Sequence, residues 1–386
     1  MSLVSTFSAL SARAWQSLQA GLFSNTQVIS TSPLTGDFGA SVEQSGDSNY
    51  AIIGAGNSNK VFMYLRNNDT YSLQTSFTGS GSTQYLGTST DLNYDGTYAI
   101  VGASQSSSPT TFSGQAKIYT RSGTTWTLEA TLTPSDPTAF AGFGCDVGIN
   151  DAGDIVVVGT ESKNAVYIFT RSGSTWTQQA KLMSSDGVHM GVGVDINSVG
   201  DRIIAGADLL ATPGAVYVFD YVAGSWTQTQ KVVASDGAVG DEFGGTVALT
   251  PAGTTFVAGA AGAEIGAVNN AGALYVFTLV SSTWTQQAKL TGSLNDSGRL
   301  GDQTGQGVSI DASATTIVGG APNADTTGVA YVFQGAVSSW NETQILRPNG
   351  TGSQFFGSSS AISDSGKRIL VGAPNTSGLT VYAFAA

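Results

Sequence analysis

The sequence predicts an all-β fold, a seven-bladed β-propeller built from four-stranded blades, on three observations. One unit recurs seven times, each unit breaks into four short runs, and the run missing from the last unit stands near the N-terminus. A repeat of about fifty residues marks a propeller or solenoid, because each unit leaves apolar surface that only a neighbour can cover.

The first two runs of each unit carry a paired signal. Phe38-Gly39 is followed by Ile52-Ile53-Gly54-Ala55, Leu86-Gly87 by Val101-Gly102-Ala103, and Phe143-Gly144 by Val158-Gly159. Met190-Gly191 is followed by Ala205-Gly206-Ala207, Phe243-Gly244 by Ala258-Gly259-Ala260, and Phe356-Gly357 by Val371-Gly372-Ala373-Pro374. In the sixth unit, spacing assigns Thr304-Gly305 to Gly319-Gly320-Ala321. The third run alternates, as in Ala215-Val216-Tyr217-Val218-Phe219, and this period of two places side chains on both faces of a sheet. The fourth run opens with an aromatic: Tyr71, Trp126, Trp176, Trp226, Trp284 and Trp340.

The seventh unit ends at Ala386, after its third run. Upstream of the first unit, Phe23 to Ile29 matches the pattern of Trp340 to Leu346. If that segment supplies the fourth strand of the last blade, the ring closes and neither chain end leaves a long unpaired edge. The expected organisation is a propeller over residues 22–386 preceded by a short helix or arm over residues 1–21.

The pairing of Phe-Gly with Gly-Ala or Gly-Ala-Pro resembles the FG-GAP repeat, the blade unit of the integrin alpha-subunit head and of many bacterial and phage surface proteins. The resemblance covers about Phe23 to Ala386. Connectors such as Arg171-Ser172-Gly173-Ser174-Thr175-Trp176 are similar to those of bacterial and viral members. It also implies a place to look for calcium, since many FG-GAP blades bind the ion in an Asp-x-Asp-x-Asp-Gly-x-x-Asp loop between the first two strands. Calcium takes about six to eight oxygen ligands. The second blade comes nearest with Asp91, Asn93, Asp95 and Gly96, but its ninth position is Ala99. Blade four has Val199 at the third ligand position, and blade five has Ala248, Thr250 and Ala252. Gly96, Gly153, Gly200, Gly253 and Gly366 persist, so hydrogen-bonded turns that kept their shape without a metal are the expected reading. No other cofactor is implied.

Composition restricts function. With 50 Gly, 11% charged residues and a net charge of −12, the chain holds no Lys or Arg cluster to neutralise phosphates, which argues against nucleic acid. Cys145 is single, and beside Phe143-Gly144 it reads as core filler rather than a nucleophile. His189 is the only histidine, so neither a metal cluster nor a serine triad of the usual kind can be assembled. Asp146, Asp195, Asp241 and Asp311 recur near the Phe-Gly turns, but at different offsets. No carboxylate pair is marked for glycoside hydrolysis. The expectation is a protein without enzymatic activity.

No basic segment precedes the first apolar residues, and no apolar run approaches the roughly 18 residues of a membrane span. Leu3, Phe7, Leu10, Ala14 and Leu18 form one stripe if the N-terminal segment is helical, with Trp15 beside it. That helix either packs on the rim of its own propeller or serves as a docking peg, with Leu3, Phe7, Leu10, Trp15 and Leu18 as contacts. Long connectors at Ser104 to Ser113, Ala261 to Asn270 and Gly292 to Gly301 are rich in Ser, Thr, Asn and Gly, as recognition loops are.

Two functional readings follow. The first is a virion structural or attachment protein of a phage or related virus, located in the virion. Its partners would be other virion or surface-structure proteins, or a host-surface glycan or protein. The alternative is a secreted bacterial adhesin or carbohydrate-binding propeller, extracellular or at the cell surface. A glycoside hydrolase ranks below both.

Overall fold

The computed structural model describes residues 22–30, 37–81, 84–186, 189–208, 211–294, 296–302, 307–349, 354–374 and 380–386. Within them lie seven antiparallel sheets of four strands, each taking its strands in chain order from the axis outward, except the last. The inner strands are Ser41–Gln44, Leu86–Leu92, Phe143–Ile149, Val194–Ile196, Phe243–Leu249, Val308–Ile310 and Ser360–Ile362. The outer strand of the seventh blade is Ser24–Ser30, which pairs with Thr380–Ala385 from Ser24 opposite Ala385 to Ser30 opposite Thr380. The ring is therefore closed by the N-terminal strand, as the sequence predicts.

Two contacts bracket this seam. The Gln27 side chain receives the Tyr71 N–H (2.5 Å) and donates to the Tyr71 carbonyl (3.0 Å) in blade one. On the other side, the Gln344 amide of blade six exchanges the same pair of bonds with Phe23, at 2.8 and 2.7 Å. Phe23 and Ile29 are buried, so the closing strand is held by apolar contact as well as by backbone pairing.

Period-two sequence becomes blade-to-blade packing. In the third strand of blade four, Val216 and Val218 join Phe243, Phe256 and Tyr275 of blade five, whereas Tyr217 and Phe219 join Ile168 and Leu182 of blade three. Both faces are buried, which is why these strands read as continuous apolar runs. Outer strands differ: Trp226 to Val232 alternates between half-buried and exposed up to a buried Val232, consistent with its Thr, Gln and Lys content.

The glycine motif has a steric cause. The residues before the first glycine, Phe38, Leu86, Phe143, Met190, Phe243, Leu300 and Phe356, are each at most 1% exposed. The glycines that follow adopt φ between +81° and +113°, a region that favours glycine. Their carbonyl oxygens press against the second glycine of the preceding blade. A methyl group on Gly54, Gly102, Gly159, Gly206, Gly259 or Gly320 would overlap the carbonyl oxygen of Gly87, Gly144, Gly191, Gly244, Gly301 or Gly357 respectively. Gly372 meets Gly39 in the same way across the seam. The repeat thus encodes the blade-to-blade approach around the whole ring.

Blade six corrects one assignment. Thr304-Gly305 lies outside the described residues, and Leu300-Gly301 holds the motif's place, with the Gly301 N–H donating to Gly320 (2.9 Å). Fixed spacing from Gly320 misassigns the pair because this inner segment carries extra residues that the other blades lack.

Candidate functional site

Inner strands leave their axis-facing edges unpaired, and an unpaired edge needs partners for its backbone groups. Three aspartates supply them. Asp91 accepts from the N–H of Leu92 (2.7 Å) beside it and of Ile149 (2.8 Å) in the next blade. Asp146 accepts from Val147 (3.0 Å) and from Val194 in the following blade (2.8 Å). Asp195 repeats the arrangement with Ile196 and Leu249, both at 2.7 Å. Inner strands from blade two to blade five are thereby linked carboxylate to backbone. Glu43 lies on the inner strand of blade one, and its carboxylate accepts only from Gln44 (2.8 Å) among the described residues.

These groups line a central cavity of about 230 Å³ with Asp151 and Asp364 near its turn-side mouth. No Lys, Arg or His is among the lining residues. Burial, followed by the charge of Asp91, pushes the Glu43 carboxyl well up, and burial with the charge of Asp195 does the same to Asp91. Burial raises Asp195 to about 7, against the pull of its two backbone donors. Asp364 is raised to about 6 by burial, then by Asp151, Asp311 and Asp47.

The four aspartates noted from sequence separate into different roles. Asp146 and Asp195 both stand in the channel wall. Asp241 accepts from the Ala238 N–H (2.8 Å), and Asp311 caps a turn by accepting from Thr315 and Thr316, both at 2.7 Å. The bridging role of Asp91 and the channel placement of Glu43 escaped sequence reasoning. A usable signal was present: in Ser41–Gln44, Leu86–Leu92 and Val194–Ile196, a single acid stands in an inner strand that carries no other charged residue.

Asp91, Asn93 and Asp95 do not converge. Asp91 turns into the channel wall. Asn93 accepts from the Tyr98 N–H (2.8 Å) and points its amide nitrogen at Asp95 (3.0 Å). Asp95 accepts from the Thr97 N–H (3.0 Å) and hydroxyl (2.6 Å). Burial works against ionisation of Asp95, but the bonds from Thr97 and Asn93 outweigh it and hold the carboxyl below the usual range. This donor set is an Asx turn and does not fit a calcium cage. Asn150 and Asn197 build the same turn in blades three and four, each accepting two backbone N–H groups, and Gly96, Gly153 and Gly200 complete them at positive φ. Among the described residues no group of three or more His, Cys, Asp or Glu is placed to hold a metal. The Cys145 thiol donates to the Gly191 carbonyl (3.3 Å), and burial with the charges of Asp146 and Glu161 raises it well above the ordinary thiol value. His189 is exposed.

The two faces of the disc are built differently. Strands one and three end on one face, where turns are short, such as Gly123-Thr124 and Gly173-Ser174. Strands two and four end on the other, so the long connectors at 104–113, 261–270 and 292–301 all emerge there. On this face Phe112 and Phe140 bring their rings to 5.6 Å, and Phe140 is 64% exposed. The 261–270 and 292–301 loops are joined where Arg299 donates its N–H to Asn270 (3.1 Å). Tyr94 is on the opposite, short-turn face and is 46% exposed. Leu3, Phe7, Leu10, Trp15 and Leu18 lie outside the described residues. Among the described residues no helix is long and apolar enough to cross a membrane.

Comparison with known proteins supports the fold. An FG-GAP repeat profile matches residues 226–277, which span the outer strand of blade four and most of blade five. No curated protein sequence matches the chain. Among solved structures, the β-propeller domain of Cps50 (Swd1) from Myceliophteria thermophila is similar at a TM-score of 0.67 and 11% identity, covering 95% of this chain and 100% of that one. A chain of the mitotic checkpoint complex gives 0.64 at 13% identity, with 94% and 92% covered. A chain of Kuenenia stuttgartiensis hydrazine synthase gives 0.64 at 13%, with 92% and 97% covered. Three such different settings on one architecture establish the propeller and leave function to the site.

Proposed function

We propose that the protein is a non-enzymatic recognition disc that uses its long-loop face to bind a protein or glycan partner, in the manner of a secreted or surface-exposed adhesin. The observation that carries this reading is the segregation of the long, Ser/Thr/Asn/Gly-rich connectors onto one face of a closed ring. A rigid scaffold that gathers loops from several blades is suited to recognition. The inner carboxylates support the absence of catalysis, because Asp91, Asp146 and Asp195 are engaged with backbone N–H groups. The virion setting is a narrower version of the same idea, in which residues 1–21 would anchor the disc to a particle.

Glycan arrays and surface-protein capture with the full chain, alongside a Phe140→Ala, Phe112→Ala double variant, test the reading. Specific binding that weakens at least tenfold in the variant while its melting temperature is unchanged is expected. Turnover of a bound glycan, or binding unaffected by loop-face changes and lost by changes on the short-turn face, would overturn it. Starting the chain at Leu22 separates the two settings: loss of particle binding with an unchanged melting temperature favours the virion role, and retention of all binding favours the free adhesin.

A further inference from the structure

Carboxylates placed along a channel wall raise a question that recognition does not answer, namely how the ring tolerates their charge. Glu43, Asp91, Asp146 and Asp195 occupy the inner strands of four consecutive blades, and Asp151 and Asp364 stand at the mouth of the same cavity. The inner strands of blades five, six and seven add no titratable side chain: they present Ala248, Ser309 and Ala361 at the corresponding register. On the second strands packed behind them, the cations are engaged elsewhere. Arg202 pairs with Asp220 (2.6 Å) and Arg368 with Asp69 (2.7 Å). Among the described residues, the channel therefore gathers carboxylates without a cation from its own wall.

We propose that this channel is a pH-responsive lock in which proton uptake by the inner carboxylates relieves buried charge and repulsion between neighbouring blades, so that the disc resists unfolding better in mild acid than in mild alkali. The sign follows from linkage. Glu43, Asp91, Asp195 and Asp364 are raised in the folded ring above the ordinary carboxylate range, Asp195 to about 7 and Asp364 to about 6. In the unfolded chain they titrate near 4, so between about pH 4 and 7 the folded state holds more protons. Their stabilising contribution is present at the acid end of that window and is lost as pH rises through the folded values. Carboxylates held below the usual range, such as Asp95, Asp136 and Asp236, act in the opposite sense only at lower pH. The wall bonds work in the opposite sense, since the two backbone N–H groups donated to Asp91 and to Asp195 favour the charged carboxylate, and burial outweighs them.

Thermal unfolding of the full chain at pH 8 and pH 6, at matched ionic strength, tests this. The melting temperature is expected to rise by roughly 3–6 °C on going to pH 6. Glu43→Gln is the decisive variant because Glu43 makes no bond to another blade among the described residues, so its removal relieves charge without cutting a link. It should melt higher than the parent at pH 8 and show a smaller pH difference. His189, the chain's single histidine, serves as the control, and His189→Gln must leave the difference intact. A parent melting temperature that is flat or falls from pH 8 to pH 6, a Glu43→Gln variant that melts lower at pH 8 with an unchanged difference, or a difference abolished by His189→Gln would each overturn the proposal.

Discussion

Two arcs of the ring hold their blades together with different chemistry. From blade two to blade five, inner strands are linked by aspartates that accept from the neighbour's backbone. Hydroxyl links run more widely: Ser359 of blade seven donates to the Gly39 carbonyl across the seam (2.8 Å), Ser41 of blade one to Gly87 (3.1 Å) and Ser89 of blade two to Gly144 (3.1 Å), and Ser309 of blade six meets Ser360 of blade seven (3.3 Å), so it is the aspartate links that set the arc from blade two to blade five apart. The seam arc also carries the closing strand and its glutamine brackets. A strand edge can be satisfied by a neutral hydroxyl or by an anion, and only the anion makes cohesion depend on pH. The glycine contacts are common to both arcs, so backbone shape sets the approach and side chains set how firmly it holds.

The seam is where the largest effect is expected. Removing residues through Ile29 takes away the fourth strand of blade seven, the buried Phe23 and Ile29, and both glutamine brackets. It also exposes the edge of Thr380–Ala385. The apolar burial of the two side chains alone stabilises by about 4 kcal/mol, so circular dichroism should show loss of the cooperative transition or heavy aggregation. A truncated chain that melts as the full chain does would show that the seam arc holds without its strand.

Glycine replacement should strike both arcs alike. Gly206→Ala, in the acid-linked arc, and Gly372→Ala, at the seam, each drive a methyl group into the next blade's carbonyl. Overpacking of this kind costs about 1–3 kcal/mol and more where backbone must move. Urea midpoints should fall for both. A variant with an unchanged midpoint would mean that its interface can open without penalty.

The arcs should then part company. Asp146→Ala leaves the Val194 N–H without its acceptor, a loss of about 1–3 kcal/mol, whereas Ser359→Ala removes one neutral bond worth about 1 kcal/mol. Because the Asp146 charge helps to raise Asp91, the first should also shrink the rise in melting temperature from pH 8 to pH 6, and the second should not. Equal slopes in the two variants would erase the distinction between the arcs.

These differences show how far the sequence could be read. The ring, its seven blades and its closing strand were legible because they rest on periodic patterns: glycine pairs, alternating third strands and the displaced Phe23 to Ile29. Spacing failed in blade six, where extra residues moved the motif from Gly305 to Gly301. The channel was illegible as a site because its acids come from different offsets. Asp146 stands three positions after Phe143, inside the irregular stretch of its strand pairing, while Asp91 stands five after Leu86 and pairs regularly with Ile100, yet both reach a backbone N–H of the next blade. The docking residues proposed for the N-terminal segment lie outside the described residues.

The smallest effect is expected at the turn that most resembles a calcium loop. Asp95 accepts its bonds from its own turn, at Thr97 and Asn93, and its carboxylate ties no blade to another. Asp95→Ala should cost about 1 kcal/mol, the worth of a local turn bond. Adding millimolar calcium to the parent should leave its melting temperature unmoved, because Asn93 presents nitrogen to Asp95 and Asp91 is committed to the channel wall. A calcium-dependent rise that disappears in Asp95→Ala would show that these side chains rearrange around an ion. The acid-linked arc would then begin at a metal-held turn rather than at a hydrogen-bonded one.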